Sequence, residues 1–356
     1  MDRYKRQIVL PEIGEEGQEK ISAASVLVVG AGGLGCPVLQ YLAAAGIGRI
    51  GIVDFDVVDE TNLQRQILFD VNDIGNNKAQ CAAKHLSALN PEINIEVFDY
   101  ELTDKNAEEL FLRFDLVIDG TDNFSTKFLI NDAALKVGVP FIYGSILGFE
   151  GQISVFGVDD GPCYRCLFPS PPKGHIPNCA EAGVIGAVAG MIGTMQAMEA
   201  IKLIVGHAEL SPLIGKLFIV DVRTMETQLL SLAKDHECQV CSKEKAKIKL
   251  SHDQQICGII PEIMPNEIRG RGDALLIDVR EKDEWDLGHI EGAQLVSLSW
   301  LLAGNTPDIP KEKNVILYCQ KGVRSMQAAQ FLKAANFQNI SSMFGGYEKW
   351  LEEERA

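Results

Sequence analysis

A glycine-rich turn between a short apolar run and a helical stretch constrains the fold of this chain most. Ser25–Val29 is continuous, apolar and β-branched, and it is too short for a helix, so it predicts a buried strand. Gly30-Ala31-Gly32-Gly33-Leu34-Gly35 follows and leads into a predicted helix at residues 36–45. The spacing fits G-x-G-x-x-G, in which glycines admit close backbone approach and the helix N-terminus offers N–H groups to phosphate. The turn therefore predicts a nucleotide site.

Strands and helices alternate through the first 160 residues. After the first strand, the pattern predicts strands at 49–56, 93–98, Leu116–Asp119 and 141–143 and a helix at Lys78–Leu89. Strands separated by helices indicate βαβ units and a mostly parallel, Rossmann-like sheet. Two further predicted strands, at 152–156 and 216–222, flank a long region rich in glycine and proline.

A polar, lysine-rich stretch after Cys241 predicts a linker, and a second α/β pattern follows it. The second pattern contains predicted strands at 274–279, 294–298 and 315–319 and a helix at 325–335. We therefore expect an α/β protein of two domains, residues 1–241 and 263–356, joined by a linker at residues 242–262.

The formal net charge of −16 limits the classes of partner. Residues 1–241 contain 18 basic and 32 acidic side chains, a net charge of −14, so the acidity belongs mainly to the first domain. A nucleic-acid surface normally needs a basic face, so we expect no nucleic-acid partner. A small phosphate ligand stays compatible with this charge, because one lysine and one arginine suffice for it.

A membrane span and secretion are not expected. No uncharged apolar run reaches the roughly 20 residues that a span needs. The best candidate, residues 183–201, contains Gln196 and Glu199 and predicts a buried helix. The N-terminus leads into no signal-type apolar stretch. Nine cysteines, an odd number, argue against a disulfide framework and favour metal or catalytic thiols in a reducing, cytoplasmic compartment.

Polar residues after successive predicted strands favour a nucleoside triphosphate. Asp54 ends the second strand, where a carboxylate binds a ribose hydroxyl, as it does in an NAD dehydrogenase. Arg65 and Lys78 suit a triphosphate whose charge must be neutralised, and Asp122, after a later strand, suits Mg²⁺. Each of these cations taken alone is typical of a solvated surface. Taken together, these residues predict nucleotidyl transfer, with the NAD oxidoreductase as a remote alternative.

Residues 3–241 resemble the E1-like family of ubiquitin-like-protein activating enzymes, the MoeB/ThiF/HesA group. The resemblance is carried by Asn62-Leu63-Gln64-Arg65-Gln66 and by residues 3–8, 29–36, 54–56, 75–78, 121–123, 150–152, 163–166 and 196–202. It implies an E1-type adenylation domain that uses ATP to activate the C-terminal Gly-Gly carboxylate of a small ubiquitin-like protein. It also implies a homodimer in which Arg6 reaches into the ATP site of the partner subunit.

The resemblance also implies roles for residues around the nucleotide. Asp54 holds the ribose, and Asp122 binds Mg²⁺. Asn62, Arg65 and Lys78 contact the phosphates, and Arg6, Arg65 and Asp122 have catalytic roles. The full set of expected nucleotide-site residues is Gly30, Gly32, Gly33, Asp54, Asp56, Asn62, Leu63, Gln64, Arg65, Lys78, Asp122 and Asn123.

Two C-x-x-C pairs, Cys163/Cys166 and Cys238/Cys241, predict a metal site. Four thiolates suit tetrahedral Zn²⁺ with no open position, which is typical of a structural site. Redox pairs and buried core cysteines are the alternatives, because the gap between the pairs is long. The E1-like family has such a four-cysteine zinc, and this resemblance favours zinc here.

Cys179 lies in a stretch rich in proline and glycine, where functional thiols often occur. In related enzymes a cysteine at this place in the crossover loop forms a covalent link to the C-terminus of the partner protein, and some members do without it. We therefore hold two readings of Cys179 open, a catalytic or thiol-relay role and no role.

Cys319 ends a predicted apolar strand and begins Cys319-Gln320-Lys321-Gly322-Val323-Arg324, which leads into a helix. Backbone N–H groups at such a turn stabilise an anion, and a helix N-terminus favours a thiolate. A small core residue at a strand end is the alternative. Residues 263–356 resemble a rhodanese domain in this six-residue loop and in residues 278–293 and 345–350, and the resemblance implies a persulfide on Cys319. Asp278, Arg280 and His289 are expected to be structural.

These expectations combine into an adenylyltransferase fused to a sulfurtransferase, with ATP, Mg²⁺ and Zn²⁺. The expected substrate is a MoaD-like carrier for molybdenum cofactor biosynthesis, and a ThiS-like carrier for thiamine or a carrier for tRNA thiolation is the alternative. The Cys319 persulfide, loaded by a cysteine desulfurase or thiosulfate, would convert the adenylate into a thiocarboxylate. A binding module without turnover, for nucleotide or sulfur carrier, is the alternative of another class.

Overall fold

The computed structural model describes residues 2–170, 183–251, 260–268 and 274–355. These residues form two compact units, the first made of residues 2–170 and 183–251 and the second of residues 260–268 and 274–355. The prediction of an α/β protein with parallel and mixed sheets is confirmed in both units.

The first unit is built on an eight-stranded sheet in the order β3-β2-β1-β4-β5-β6-β7-β8. The strands from β3 to β5 are parallel, and β5 to β8 are antiparallel. The carboxyl ends of β1, β2 and β4 lie at one edge, since Val29 pairs with both Val53 and Asp119. The strands are β1 Ser25–Val29, β2 Arg49–Val53, β3 Asn94–Phe98, β4 Leu116–Asp119, β5 Phe141–Leu147, β6 Glu150–Phe156, β7 Lys216–Asp221 and β8 Glu226–Ser231.

Helices cover both faces of this sheet. Val26 and Val28 belong to one hydrophobic cluster and Leu27 and Val29 to another, so both faces of β1 are buried against apolar side chains. The helices are α1 Lys5–Ile8, α2 Gly14–Ala23, α3 Gly35–Ala45, α4 Lys78–Leu89, α5 Ala107–Phe111, α6 Phe124–Val137, α7 Tyr164–Leu167 and α8 Gly186–Val205. Short 3₁₀ helices lie at Asp2–Tyr4, Glu60–Asn62, Val71–Asp73 and Lys245–Lys247.

Helix α8 is the one helix in the described ranges that is long and apolar enough to cross a membrane. Its buried face packs in the first unit, where the side chain of Gln196 donates to the carbonyl of Asp119. Gly193 lies so close to α3 that a Cβ built there would be 2.4 Å from the carbonyl oxygen of Leu34. The helix is therefore accounted for by packing, as its Gln and Glu residues predict.

The second unit is a parallel five-stranded sheet in the order β11-β10-β12-β13-β9. Its core includes Ile277, Leu317 and Cys319. The strands are β9 Glu262–Ile263, β10 Leu275–Asp278, β11 Gln294–Leu295, β12 Asn314–Tyr318 and β13 Asn339–Met343. The helices are α9 Pro265–Ile268, α10 Lys282–Asp286, α11 Leu298–Leu302, α12 Val323–Ala334 and α13 Gly346–Arg355.

Two of the predicted strands end three residues earlier in the structure, and the strand predicted at 141–143 extends to Leu147. The strand expected at 49–56 ends at Val53, because the side chain of Asp54 accepts the N–H of Asp56 and turns the chain. The strand expected at 294–298 has two residues, since Ser297 caps the N-terminus of α11. Within residues 242–262, Ile248 is buried against Cys163 and Cys238, so the first part of this stretch packs on the first unit.

Candidate functional site

The glycine-rich turn packs tightly against the ends of β2 and β4. The N–H of Gly30 donates to the carbonyl of Val53, and the N–H of Gly120 donates to that of Val29, both at 2.8 Å. Gly30 has a φ of +92°, and a Cβ there would lie 2.9 Å from the carbonyl oxygen of Gly120. A Cβ on Gly35 would lie 1.9 Å from the oxygen of Gly30. Side chains are excluded at these positions, which leaves backbone N–H groups to line the turn.

Asp54 is fixed beside this turn by two backbone groups. Its Oδ2 accepts the N–H of Ala31 at 2.7 Å, and its Oδ1 accepts the N–H of Asp56 at 2.9 Å. Burial raises the pKa of Asp54 above its usual value, and the charge of Lys78 and the two N–H groups oppose this shift. The carboxylate is thus held in one orientation, with lone pairs left for a hydroxyl ligand.

Lys78 begins α4 next to Asp54. Its side chain is only 8% exposed, and Nζ lies 3.0 Å from Oδ2 of Asp56. Asn77 caps α4 by accepting the N–H of Gln80, and its amide donates to the carbonyls of Asp54 and Asp56. The end of β2 and the start of α4 are therefore joined, which places the ammonium group of Lys78 at the carboxyl edge of the sheet.

Arg65 lies against the same turn from the segment after the 3₁₀ helix Glu60–Asn62. Its Cδ is 3.6 Å from a Cβ built on Gly33, and its guanidinium donates to the carbonyl of Thr61 at 3.1 Å. A Cβ on Gly186, at the start of α8, would lie 2.4 Å from the carbonyl oxygen of Gln64. Asn62 and Leu63 are half-buried in this segment.

Gln66 is a residue that the sequence reading did not include in the site. Its side chain amide lies 3.8 Å from a Cβ built on Gly32, and the residue is 3% exposed. Its Oε1 has no hydrogen-bond partner among the described residues. The last residue of the Asn62–Gln66 motif therefore places a buried, under-satisfied amide beside the glycine-rich turn.

Asp122 and Asn123 follow β4 in a turn beside Gly30. Asp122 is exposed, whereas Asn123 caps α6 by accepting the N–H of Thr126 at 2.8 Å. The N–H of Thr121 is 3.4 Å from a Cβ built on Gly30, so this turn adjoins the glycine-rich turn. Two buried residues, Asp119 and Lys127, lie behind this turn and are not among the residues predicted from the sequence. Asp119 lies at the end of β4 much as Asp54 lies just after β2, and this position is the signal that could have identified it.

Arg6 is exposed on α1, away from the glycine-rich turn of its own chain. The neighbouring Gln7 donates to the carbonyl of Ala45, at the C-terminal end of α3. The glycine-rich turn lies at the other end of this 11-residue helix, about 16 Å away along the axis. Cys179 lies outside the described residues.

The four cysteines of the two C-x-x-C pairs come together. Sγ of Cys163 lies 3.7 Å from that of Cys238 and 3.9 Å from that of Cys166, and the sulfurs of Cys166 and Cys241 are 3.4 Å apart. Four sulfurs about 2.3 Å from a tetrahedral zinc are about 3.8 Å from one another. The spacing therefore fits Zn²⁺, and all four ligand atoms lie within 4.8 Å of one another.

In the second unit, Cys319 lies at the start of a loop that directs one N–H group and one hydroxyl towards its sulfur. Its Sγ accepts the N–H of Gly322 at 3.2 Å and the hydroxyl of Ser325 at 3.7 Å. A Cβ on Gly346 would lie 2.4 Å from the carbonyl oxygen of Cys319, and the N–H of Tyr347 donates to that oxygen. The loop is thus held from behind and can stabilise negative charge on sulfur.

The charges around this loop are paired. The guanidinium of Arg324 makes two hydrogen bonds of 2.6 Å to the carboxylate of Glu284, and this contact raises the pKa of Arg324. Arg280 is buried on Asp278 and donates to the carbonyl of Gly288. The ring of His289 stacks on that of Trp285 at 3.6 Å.

Comparison with known proteins agrees with both units. The model of the ThiF family matches residues 4–240, and that of the rhodanese-like domain matches residues 265–353. The probable adenylyltransferase/sulfurtransferase MoeZ of Mycobacterium tuberculosis is 42% identical in an alignment of 371 positions, which covers 99% of this chain and 93% of that protein. The sulfur carrier protein adenylyltransferase of Thermus thermophilus is 46% identical over 265 residues, covering 73% of this chain and 97% of that protein.

A probable molybdopterin-synthase adenylyltransferase of Porphyra purpurea is 38% identical in an alignment of 357 positions, which covers 98% of this chain and 92% of that protein. Among solved structures, MccB of E. coli has a TM-score of 0.61 at 22% identity, over 68% of this chain and 72% of that chain. This last likeness concerns the fold alone. The chain therefore belongs to the ThiF family, carries a C-terminal rhodanese-like domain, and is an enzyme of the adenylyltransferase and sulfurtransferase class.

Proposed function

We propose that this protein uses ATP to adenylate the C-terminal carboxylate of a small ubiquitin-like sulfur carrier ending in Gly-Gly, and then delivers sulfur to it. The observation that carries the proposal is the pairing of two sites in one chain. The first unit has a backbone-lined turn with Asp54 and Lys78 beside it. The second has a thiol, Cys319, that faces N–H and hydroxyl donors.

The adenylation step asks the protein for positioning and charge neutralisation. A carboxylate oxygen of the carrier attacks the α-phosphorus of ATP, and pyrophosphate leaves with the electrons of the broken P–O bond. Asp54 holds the ribose, and the N–H groups of Gly32 and Gly33 in the glycine-rich turn meet the phosphates. Arg65 and Lys78 offset the phosphate charge and the neutral amide of Asn62 donates a hydrogen bond to it, because such transfers are accelerated by positioning and charge stabilisation.

Mg²⁺ fits the exposed carboxylate of Asp122, because this ion keeps several waters and takes one or two carboxylates together with phosphates. When bound, the ion would screen the charge of the triphosphate. Zn²⁺ fits the cysteine tetrad, where it would have a structural role since all four positions are filled by sulfur.

Sulfur transfer follows from the persulfide on Cys319. Its terminal sulfur attacks the acyl carbon of the adenylate, AMP leaves, and an acyl disulfide joins the carrier to Cys319. A second thiol, Cys179 in this proposal, then attacks Sγ of Cys319 and releases the thiocarboxylate. The resulting disulfide is reduced by an external dithiol. A cysteine desulfurase persulfide or thiosulfate supplies the next sulfur atom.

Three further features belong to the proposal: the oligomeric state, the compartment and the carrier. The protein is a homodimer in which Arg6 serves the ATP site of the partner subunit, which is supported by its place beyond the far end of α3. A reducing, cytoplasmic compartment is supported by the reactive thiols that the chemistry needs. The carrier is MoaD-like, for molybdenum cofactor biosynthesis, as supported by the name of the Porphyra purpurea relative.

Carrier-dependent ATP–pyrophosphate exchange tests the proposal. Purified MoaD-like and ThiS-like carriers, and a carrier for tRNA thiolation, are each offered to wild-type protein, Asp122→Ala and Cys319→Ala. Exchange is expected with the MoaD-like carrier, retained in Cys319→Ala and lost in Asp122→Ala. Sulfur transfer from thiosulfate or a persulfide to a thiol acceptor is expected to show the opposite pattern. Nucleotide binding without exchange on any carrier would instead identify a binding module and overturn the proposal.

A further inference from the structure

A buried ion pair lies directly behind the turn that carries Asp122. Nζ of Lys127 is 2.9 Å from Oδ2 of Asp119 and donates to the carbonyl of Gly144 at 2.7 Å. The side chain of Lys127 is 5% exposed and that of Asp119 is 1% exposed. The ammonium group also lies 5.2 Å from the ring centre of Tyr143, so the pair is closed off from solvent.

The other atoms of Asp119 hold the turn itself. Oδ1 accepts the N–H of Thr121 at 3.0 Å and its hydroxyl at 2.7 Å. The carbonyl oxygen of Asp119 accepts the amide of Gln196 at 2.8 Å. Every oxygen of Asp119 is therefore engaged, and the residue just before Asp122 is fixed by both its backbone and its side chain.

The position of this pair is difficult to explain by stability alone. Two buried charges lose their hydration, and well-packed apolar side chains of similar volume often hold a fold as well or better. Asp119 and Lys127 instead lie between the Asp122 turn and the middle of β5, where Lys127 donates to the carbonyl of Gly144.

We propose that the Asp119–Lys127 pair is a positioning device for the carboxylate of Asp122. The pair holds Thr121 so that Asp122 presents its oxygens to a divalent cation on the bound nucleotide. Lys127 acts through Asp119 and Thr121 and touches no substrate. The inference rests on the proposed nucleotide role of Asp122, and it is independent of which carrier is used.

The test measures cation binding separately from turnover. Mn²⁺ binding to the complex with a non-hydrolysable ATP analogue is followed by electron paramagnetic resonance, and analogue binding in EDTA by calorimetry. Lys127→Met is expected to weaken Mn²⁺ binding about tenfold, the scale of losing a charged hydrogen bond. Analogue affinity in EDTA stays within about twofold of wild type, because Lys127 makes no hydrogen bond to the nucleotide that could be lost. Lys127→Arg, which keeps donors for Asp119, restores most of the Mn²⁺ affinity.

Two further variants keep the test decisive. Lys202→Met removes another partly buried ion pair of the first unit, with Glu199, and is expected to leave Mn²⁺ binding unchanged. Thr121→Val removes the hydroxyl bond to Asp119 and is expected to weaken Mn²⁺ binding in the same direction, which serves if Lys127→Met does not fold.

The outcomes separate this inference from the proposed function. Wild-type Mn²⁺ affinity in Lys127→Met overturns the inference, and so does an equal loss of analogue binding with and without the cation. Absence of carrier-dependent exchange in wild type, with Mn²⁺ binding that still depends on Lys127, would contradict the proposed function and support the inference.

Discussion

The N–H of Ala31 donates to Oδ2 of Asp54 at 2.7 Å and so ties the glycine-rich turn after β1 to the residue that follows β2. The carboxylate therefore orders the turn. We expect Asp54→Ala to weaken ATP binding by about 10- to 100-fold, since a charged hydrogen-bond acceptor is lost.

Isothermal titration with ATP measures this effect. Asp104→Ala, which removes an exposed aspartate of the same unit, is the matched control and should bind ATP as wild type does. Equal ATP affinity in Asp54→Ala and Asp104→Ala would refute the role of Asp54.

Two glycines of the turn are expected to respond differently to alanine. A Cβ on Gly35 meets the oxygen of Gly30 at 1.9 Å, so Gly35→Ala should lower the free energy of unfolding by about 3 kcal/mol or more. A Cβ on Gly32 meets no heavy atom closer than 3.8 Å. Gly32→Ala should therefore fold normally and bind ATP about tenfold more weakly, because the Cβ stands where phosphate approaches the backbone. Urea unfolding and ATP titration of both variants decide; ATP affinity at the wild-type level in Gly32→Ala would argue against phosphate at this turn.

The cysteine tetrad predicts a zinc-dependent stability. Cys238→Ser should lower bound zinc below one atom per chain and lower the free energy of unfolding by about 2–5 kcal/mol, the range for losing a cross-link. Cys81→Ser, at a buried cysteine outside the tetrad, is the control and should retain its zinc. Metal analysis together with thermal melting checks this, and full zinc occupancy in Cys238→Ser would rule out the site.

We expect sulfur transfer, but not adenylation, to require a glycine at position 346, behind the loop of Cys319. Gly346 has a φ of +65°, and a Cβ there would meet the oxygen of Cys319 at 2.4 Å. Gly292 has a φ of +81° with no heavy atom within 4 Å of its Cβ position. Both alanine variants should lose about 1 kcal/mol or more of stability from backbone strain. Only Gly346→Ala should lose sulfurtransferase activity, measured with thiosulfate. Both variants should keep carrier-dependent exchange. Loss of sulfur transfer in Gly292→Ala as well would count against a specific steric effect at Gly346.

Asp73 predicts a pH dependence of stability. Burial disfavours its charge, but the N–H of Asp70 at 3.0 Å and the ring of His85 at 2.7 Å outweigh this and lower the pKa of Asp73. A carboxylate whose pKa is lower in the folded state stabilises the fold above its unfolded pKa of about 3.9. That stabilisation is lost as the pH falls through the folded pKa.

Urea unfolding of wild type and Asp73→Asn checks this sign between about pH 7 and pH 3. The wild type should be more stable at neutral pH, and the difference should shrink towards pH 3. All three tryptophans, Trp285, Trp300 and Trp350, lie in the second unit, so circular dichroism reports both units and tryptophan fluorescence gives an internal control. A difference that does not vary with pH would contradict an ionised Asp73.

Local signals were enough to predict several elements. The strands Ser25–Val29 and Leu116–Asp119 and the helix Lys78–Leu89 have the predicted bounds. Apolar runs of strand length mark the first two, and the Asn77 cap and Asn90-Pro91 mark the ends of the helix. By contrast, β8 was not predicted, because all six of its residues are exposed and it has no buried face to impose a pattern.

The residues of the candidate site also differ in whether the sequence alone identifies them. Asp54 and Lys78 follow a strand and open a helix, so sequence position alone singles them out. Asp119 and Lys127 could not be recognised in this way, because their role depends on contacts with Gly144 and with Gln196, which is 77 residues from Asp119 in the chain. The information about such a network lies in tertiary contacts and not in a motif.

The cysteine tetrad also has a consequence for how the chain is made. Its pairs lie 75 residues apart in the sequence, so the second pair leaves the ribosome well after the first. A metal ion held by Cys163 and Cys166 alone has two open positions, and the closed site forms only once Cys238 and Cys241 arrive. We therefore expect zinc capture by the tetrad to be a late event in the biogenesis of the first unit, after the residues of the glycine-rich turn and its neighbours have been synthesised.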